Sequence, residues 1–486
     1  MSLSTALGIA QSALLNTQRQ TTIVSRNVSE SSNPDYARRG TMLSKSPNGA
    51  AIVDVRRSVN EVLFRQNLAA MSSWSAQNTL LTGLDRLDID VFGTENANSP
   101  ARLLGELQQA LQTYSGSPSN VSVAETAVER ARQLVSALNN GSNTIQAFRG
   151  DIDRQIVTTV KDLNTLLADF HAANSEVVAG TNVGRDVNDA LDQRDAILKK
   201  ISEIVPVSAI KRGANDVMLT TTAGVTLFET VPREVTFTPT AGYAAGASGN
   251  SIYVDGVPLT SGSGANTTAS GSLSAMIQLR EDVAGGMQAQ LDEIARGLIT
   301  AFAETDPLGV DPDLAGLFTW PGGPALPAAG TLENGLARVI RINAAYDSTV
   351  GGNPHLLRDG GANGATYIHN TTGGAAYTNL LISYDNKLSA PMAFDAGAGI
   401  AGTVSLSDYS TESIGWFSAL RQDASRATEN KSALMMRTSE ALSNVTGVNI
   451  DEEMSLLLDL EHSYQASAKL VQTVDNMLAA LLDAVR

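Results

Sequence analysis

Asp451–Arg486, DEEMSLLLDLEHSYQASAKLVQTVDNMLAALLDAVR, is the stretch from which the rest of the chain is read. Steps of alternately three and four residues pick out Leu457, Leu460, Tyr464, Ser467, Val471, Val474, Leu478, Leu481 and Val485, all apolar but the serine. That period is a coiled-coil seam. A helix from 457 to 485 is a rod of about 40 Å, too long and thin to bury its stripe on itself. Its start is marked as well. Asn449 or Asp451 can accept from the open N–H groups of the first turn, Glu452 follows Asn449 by three residues, and three successive acids suit the positive end of the helix dipole.

The opposite end carries the same period in weaker form: Leu3, Leu7, Ala10, Leu14, Thr17, Thr21, Val24 and Val28. One amphipathic terminal helix ordinarily closes the core of its own domain. Two matching ends point instead to a bundle that either pairs them or assembles many chains.

The 486 residues suffice for about three domains, and 43% hydrophobic content suffices to build cores. A net charge of −16 without a Lys/Arg run argues against nucleic acid or an anionic membrane as partner. No cysteine is present, which excludes disulfides and thiolate chemistry. No basic residue precedes Arg19, polar residues interrupt the first helix, and no apolar run reaches 18, so neither a Sec-type signal peptide nor a membrane anchor is expected.

In chain order, Asn33-Pro34-Asp35-Tyr36 reads as the turn that ends the first helix. Residues 41 to 58 read as a small hairpin or extended arm. Helices are then expected over 59–91, 100–114, 120–139, 144–178 and 186–204. Alternating Thr, Val and Gly from 205, with a hairpin signal at Asp255-Gly256, predict strands over 206–268. Helix returns over 273–302, an irregular Gly-rich insertion spans 306–405, and a long helix over 411–445 leads to the C-terminal seam.

This order predicts a mainly α fold with inserted β-domains: an elongated, hairpin-like multidomain protein. Residues 1–35 with 446–486 form the terminal coiled coil. Residues 36–205 with 269–305 and 406–445 form a helical stem. A small antiparallel β-domain, 206–268, sits at the tip with the 306–405 insertion.

Three motifs carry a resemblance. Asn27-Val28-Ser29 leads to Pro34-Asp35-Tyr36 and Arg38; Thr446-Gly447-Val448-Asn449-Ile450-Asp451-Glu452-Glu453 leads to Tyr464-Gln465-Ala466-Ser467-Ala468; and Asn188-Asp189-Ala190-Leu191-Asp192-Gln193-Arg194-Asp195 lies between. Together they resemble the axial rod, hook and hook-associated proteins of the bacterial flagellum, and the third is similar to the hook-associated proteins of the hook–filament junction. Glu30, Asn33, Asp35 and Glu461 depart from that family's usual pattern.

The resemblance implies a secreted structural subunit of the extracellular flagellum whose terminal helices pack with those of neighbouring copies in a ring-like assembly. It implies as partners other copies of itself, the hook protein, a second hook–filament junction protein, an export chaperone on the C-terminal helix and the flagellar type III export apparatus. The expected assembly and chaperone interface is Leu3, Leu7, Leu14, Val24, Asn27, Val28, Pro34, Tyr36, Asn449, Asp451, Glu452, Leu457, Leu460, Tyr464, Ala468, Val471, Val474, Leu478, Leu481 and Val485. Such unpaired amphipathic ends are expected to be disordered in a lone subunit and to fold on assembly.

Catalytic signals are weak. The four histidines, His171, His355, His369 and His462, lack metal-ligand spacing, so no metal site and no cofactor is expected. Gly397–Gly402 matches a dinucleotide fingerprint as a string, but a strand-like Thr403-Val404-Ser405 follows where a helix must begin. Asp186, Asp189, Asp192 and Asp195 make a slanting acidic ridge near Arg185 and Arg194, read as a solvated face or subunit contact rather than a catalytic pair. The expected function is structural; the alternative is a secreted adhesin-like binding module on a helical stalk.

Overall fold

The computed structural model describes residues 3–46, 49–400 and 402–484. Helix α1, Leu3–Ser29, is followed by the turn at 33–36, where the Asn33 side chain accepts from the Asp35 N–H at 3.0 Å. Strands β1 (Arg39–Ser46) and β2 (Gly49–Arg57) form an antiparallel hairpin. Helix α2, Glu61–Leu87, begins under an Asn60 cap and passes into a π-helical turn, Asp88–Phe92. Ser99 caps α3, Pro100–Gly116, with Pro100 at its first position, where no N–H is missed.

Residues 121–182 form one helix rather than the two expected. Helix α4, Val121–Asn182, is about 90 Å long and runs through Gly141 unbroken. The physical reason is tertiary: a Cβ at Gly141 would lie 3.1 Å from the Leu291 side chain, so the glycine admits a neighbouring helix that then holds it helical. Helix α5, Asn188–Ile204, packs back on α4.

The β region resolves into two small antiparallel sheets. Strands β3 (Val207–Lys211), β4 (Val217–Thr221) and β5 (Thr226–Phe228) form one; β6 (Val235–Thr236), β7 (Tyr253–Val254) and β8 (Val257–Pro258) form the other. The β7–β8 turn is Asp255-Gly256, with φ of 48° and 78°, the positive angles a tight hairpin turn demands. Helix α6, Ser272–Gln278, a π-helical turn at Leu279–Val283 and α7, Ala284–Ala301, form the central rod of the core.

The insertion is more ordered than its composition suggests. It holds β9 (Phe318–Thr319), α8 (Leu336–Val339), β10 (Arg341–Ile342), α9 (Leu356–Asp359), α10 (Asn379–Ser389), β11 (Pro391–Ala393) and β12 (Thr403–Ser405). Three fully buried carboxylates of α7 and its C-terminal extension mount it. Asp292 accepts from the Gly335 and Ala337 N–H groups at 2.8 Å, Glu293 from Asp395 N–H at 2.8 Å, and Glu304 from Ala362 and Asn363 N–H at 2.9 and 2.8 Å. Charged acceptors on backbone donors are the stronger class of hydrogen bond. Gly399, at φ 78°, belongs to a turn leading into β12, so the glycine string opens no helix.

Helix α11, Leu406–Thr446, returns along α2, and α12, Ile450–Ala484, packs on α1. The fold is mainly α with a few small antiparallel sheets, as the periodicities predicted. Placement of the β elements differs from expectation. The 306–405 insertion meets the far end of the stem, through Arg132–Asp347 at 2.8 Å and Tyr114–His355 at 2.8 Å. The β3–β4–β5 sheet lies at the opposite end, where the Asn174 side chain bonds Asp216 at 2.7 Å and Val217 N–H at 3.2 Å.

Candidate functional site

The two terminal seams face each other. Helices α1 and α12 run antiparallel, since Asn27 near the end of one bonds Glu453 near the start of the other. Ala10, Thr17 and Val24 are buried on α1, and Leu460, Ser467 and Val474 on α12. Leu3, Leu7, Leu14, Val28, Leu457, Ala468, Val471 and Leu478 are half-buried along the same contact. The ends expected to be disordered are thus ordered helices, because each seam supplies the apolar surface the other lacks. Tyr464 and Leu481 stay exposed, and Val485 lies outside the described residues.

Pairing with α1 does not cover α12. Met454, Leu456, Leu458, Leu470, Met477 and Leu482 remain exposed, with Leu482 at 72%. Leu456, Leu470 and Met477 share one heptad position and Met454 and Leu482 another, so apolar surface stays open on two sides of the helix, more than the scattered apolar residues of an ordinary surface. Asn449 caps α12, its side chain accepting from Asp451 and Glu452 N–H at 3.0 and 3.4 Å; those two acids and Pro34 are exposed.

Below the helix pair, the motif residues close into a polar knot. The Asn27 amide donates to the Arg39 carbonyl at 2.9 Å and to Glu453 Oε2 at 3.0 Å, while its Oδ1 accepts from the Tyr36 hydroxyl at 2.8 Å and Arg39 N–H at 3.1 Å. Every hydrogen-bonding direction of this 1% exposed side chain is used. Glu453 is fully buried and also receives Arg38 Nε at 2.5 Å. Arg38 N–H reaches the Thr446 carbonyl at 2.8 Å, so N- and C-terminal motifs are joined by backbone as well. The Arg39 guanidinium lies 4.9 Å from the centre of the Tyr36 ring.

The acidic ridge, exposed at Asp189 and buried at Asp192, is paired with arginines of the terminal unit. Asp189 receives Arg26 at 2.7 Å and Arg39 at 2.5 Å; Asp192 receives Arg39 and Arg57, each at 2.9 Å; Asp195 receives Arg57 at 2.7 Å. The expected partners are elsewhere: Arg185 stands 3.8 Å from Glu176, and Arg194 donates to Asn174 and the Asn215 carbonyl. Asp186 accepts from Asn188 N–H at 2.9 Å at the start of α5. Burial pushes the Asp189 carboxyl upward, but Arg26 and Arg39 outweigh it and hold it below its ordinary range. At Asp192 burial wins over Arg57 and Arg39, and the carboxyl is raised. Burial also raises the Tyr36 phenol.

A cleft of about 680 Å³ adjoins this network, lined by the 30–37 loop, α5, β3 and the C-terminal end of α11. Among the described residues no group of His, Cys, Asp and Glu is placed to hold a metal, and no helix is long and apolar enough to cross a membrane. The site's chemistry is mutual neutralisation: each buried charge has an opposite charge or a backbone partner.

Sequence reading quoted Arg38 and Glu453 only within motifs, without placing them in the interface, and missed Arg39 and Arg57. One signal was available. A step of four back from Leu457 lands on Glu453, so a charge occupies a seam position, where only a buried partner makes it tolerable. No spacing rule could have matched Arg39 or Arg57 to the ridge.

Residues 85–317, which include the ridge, match the family model described as the flagellar hook-associated protein FlgK helical domain. Residues 439–484, which include Glu453, match that of the flagellar basal body rod FlgEFG protein C-terminal region. The chain is similar to the flagellar hook-associated proteins. Relatives named flagellar hook-associated protein 1 include one from Bacillus subtilis, 23% identical over 78% of this chain and 75% of its own length. Another, from Escherichia coli, is 20% identical over 99% of this chain and all of its own. A third, from Salmonella typhimurium, is 23% identical over 64% of this chain and 58% of its own. The solved flagellar hook junction protein FlgK from Burkholderia pseudomallei aligns over 53% of this chain and 46% of its own, at TM-score 0.42 and 20% identity, too partial to carry an argument. In this chain the stretches matching the two models are brought together at one node.

Proposed function

We propose that this chain is a structural subunit of the bacterial flagellum, seated at the junction of hook and filament and adapting one to the other. Its similarity to proteins named flagellar hook-associated protein 1 and to the hook-associated protein helical-domain model supports that reading. The single observation that carries the mechanism is the apolar surface left exposed on two sides of α12 after α1 has taken its seam. A lone chain exposes this surface to water; neighbouring helices in the flagellar axis would cover it.

In this reading the paired terminal helices are the assembly element. The seam residues of α1 and α12 hold the pair, and Leu456, Leu458, Leu470 and Met477 turn outward to further copies, to the hook protein and to a second junction protein. Before assembly an export chaperone covers the same surface, and the chain reaches the cell exterior through the flagellar type III apparatus. The four sequence-defined units then act as core, stem, β-module and surface insertion. The role is structural rather than catalytic. No observation favours the adhesin-like alternative.

Deletion of residues 451–486 tests the assembly role. The truncated chain is expected to keep the α4 stem folded by circular dichroism, yet to leave cells non-motile with no filaments under electron microscopy. Normal filaments would refute it.

A further inference from the structure

The terminal unit, α1 with the β1–β2 hairpin and α12, joins the stem through two short backbone links, Ser58–Asn60 and Gly447–Asn449. Among the described residues, its side-chain hydrogen bonds to the stem run to one helix, α5. Arg26, Arg39 and Arg57 meet Asp189, Asp192 and Asp195, the Asn188 amide bonds the Val55 carbonyl at 2.9 Å, and Lys199 bonds Asp35 at 2.7 Å. A unit held by two links, the Arg38–Thr446 backbone bond beside one of them and one helix face has the layout of a hinge.

The ion pairs overlap in a particular way. Arg39 Nη2 touches Asp189 and Asp192 together, and Arg57 touches Asp192 and Asp195 together. Each shared arginine can therefore release one carboxylate and keep the other. Arg39 is 4% exposed, so full release would strand a buried charge. The only inexpensive movements are those along which it always holds a rung. One further feature distinguishes this arrangement from a fixed clamp. The adjoining cleft of about 680 Å³, lined by Asp192, Asp195, Arg57 and the 30–37 loop, gives the terminal unit room to tilt.

We propose that Asp189, Asp192 and Asp195 form a graded set of stops along which the arginines of the terminal unit hand over, setting the angle between the terminal helix pair and the stem. Asp192 is the pivot, and Asp189 and Asp195 are the two limits. The use of such a device rests on the junction reading, since copies bridging a curved and a straight segment must adopt unequal neck angles. Adjacent rungs are three residues apart, about 4.5 Å along the helix, which sets the scale of the hand-over.

The absence of cysteine makes the test direct. Spin labels are placed on the full-length chain at two exposed sites, Ser463→Cys on α12 and Thr165→Cys on α4, and their distance distribution is measured by pulsed electron resonance. Asp189→Asn and Asp195→Asn are expected to displace the mean distance in opposite senses, by about 2–5 Å each on the rung spacing. Asp192→Asn is expected to widen the distribution about twofold. Superimposable distributions, or displacement of both end variants in the same sense, would overturn the proposal and leave a static clamp. Asp189 is largely exposed, so its variant folds even where Asp192→Asn does not, and it must displace the mean on its own. The measurement is made on the unassembled chain, so its failure leaves the junction reading standing, whereas the deletion experiment addresses that reading alone.

Discussion

Glu453→Gln keeps the shape of a buried side chain and removes its charge, and the surrounding hydrogen bonds decide the consequence. Glu453 accepts from Arg38 Nε and from the Asn27 amide. The new Gln can still offer its carbonyl to Arg38, but its NH2 then faces the NH2 of Asn27. Asn27 cannot turn over to help, because its Oδ1 is committed to the Tyr36 hydroxyl and the Arg39 N–H. At least two buried N–H donors, one on each amide, are left without an acceptor, each costing toward the lower end of about 1–3 kcal/mol. The charge lost opposite Arg38 adds less than a fully buried pair would, since that arginine is about a third exposed. A total of about 2–3 kcal/mol is expected, confined to the knot. Amide hydrogen exchange reads such local stability, and a loss of that size accelerates exchange about 30- to 150-fold. The faster amides should be those of residues 36–39 and the first two turns of α12, with α4 unchanged. Exchange within threefold of the parent there would refute the view that Glu453 ties the two ends together.

Three further outcomes are expected. Val474→Asp puts a carboxylate into the α1–α12 seam where the valine is 7% exposed, a loss of several kcal/mol that should lower helix content and abolish swimming in soft agar; unimpaired swimming would count against the seam. Burial raises the Asp292 carboxyl to about 7 against the hydrogen bonds from Gly335, Ala337 and Gln288. The folded chain therefore binds a proton that the unfolded chain releases near pH 4, so this contribution is full below pH 4 and lost as pH rises through about 7; melting should be higher at pH 5 than at pH 8, and Asp292→Asn should shrink that difference. Gly271→Ala forces a side chain onto a φ of 78° and brings its Cβ within 2.4 Å of the Ile204 carbonyl oxygen, so a loss of about 2–3 kcal/mol and a melting point lower by several degrees are expected.

Local features were legible in the amino-acid pattern alone. The Asn449 cap, the turn at Asn33–Pro34 and the Asp255-Gly256 hairpin all depend on residues within a turn or two of one another, and all stand where the pattern put them. Local pattern also carried the family resemblance, since its motifs are short runs. Pairing became legible only in the folded chain. A seam states that a partner exists without naming it, and here α12 took α1 and kept further apolar surface outward. Gly141 reads as a break until α7 is seen against it. The ridge at Asp189, Asp192 and Asp195 looks solvated on its own helix, because its arginines come from more than 130 residues away in sequence. Periodicity reports the surface one element presents, while charge neutralisation and close packing depend on which surface meets it, and that is settled only when the chain has folded.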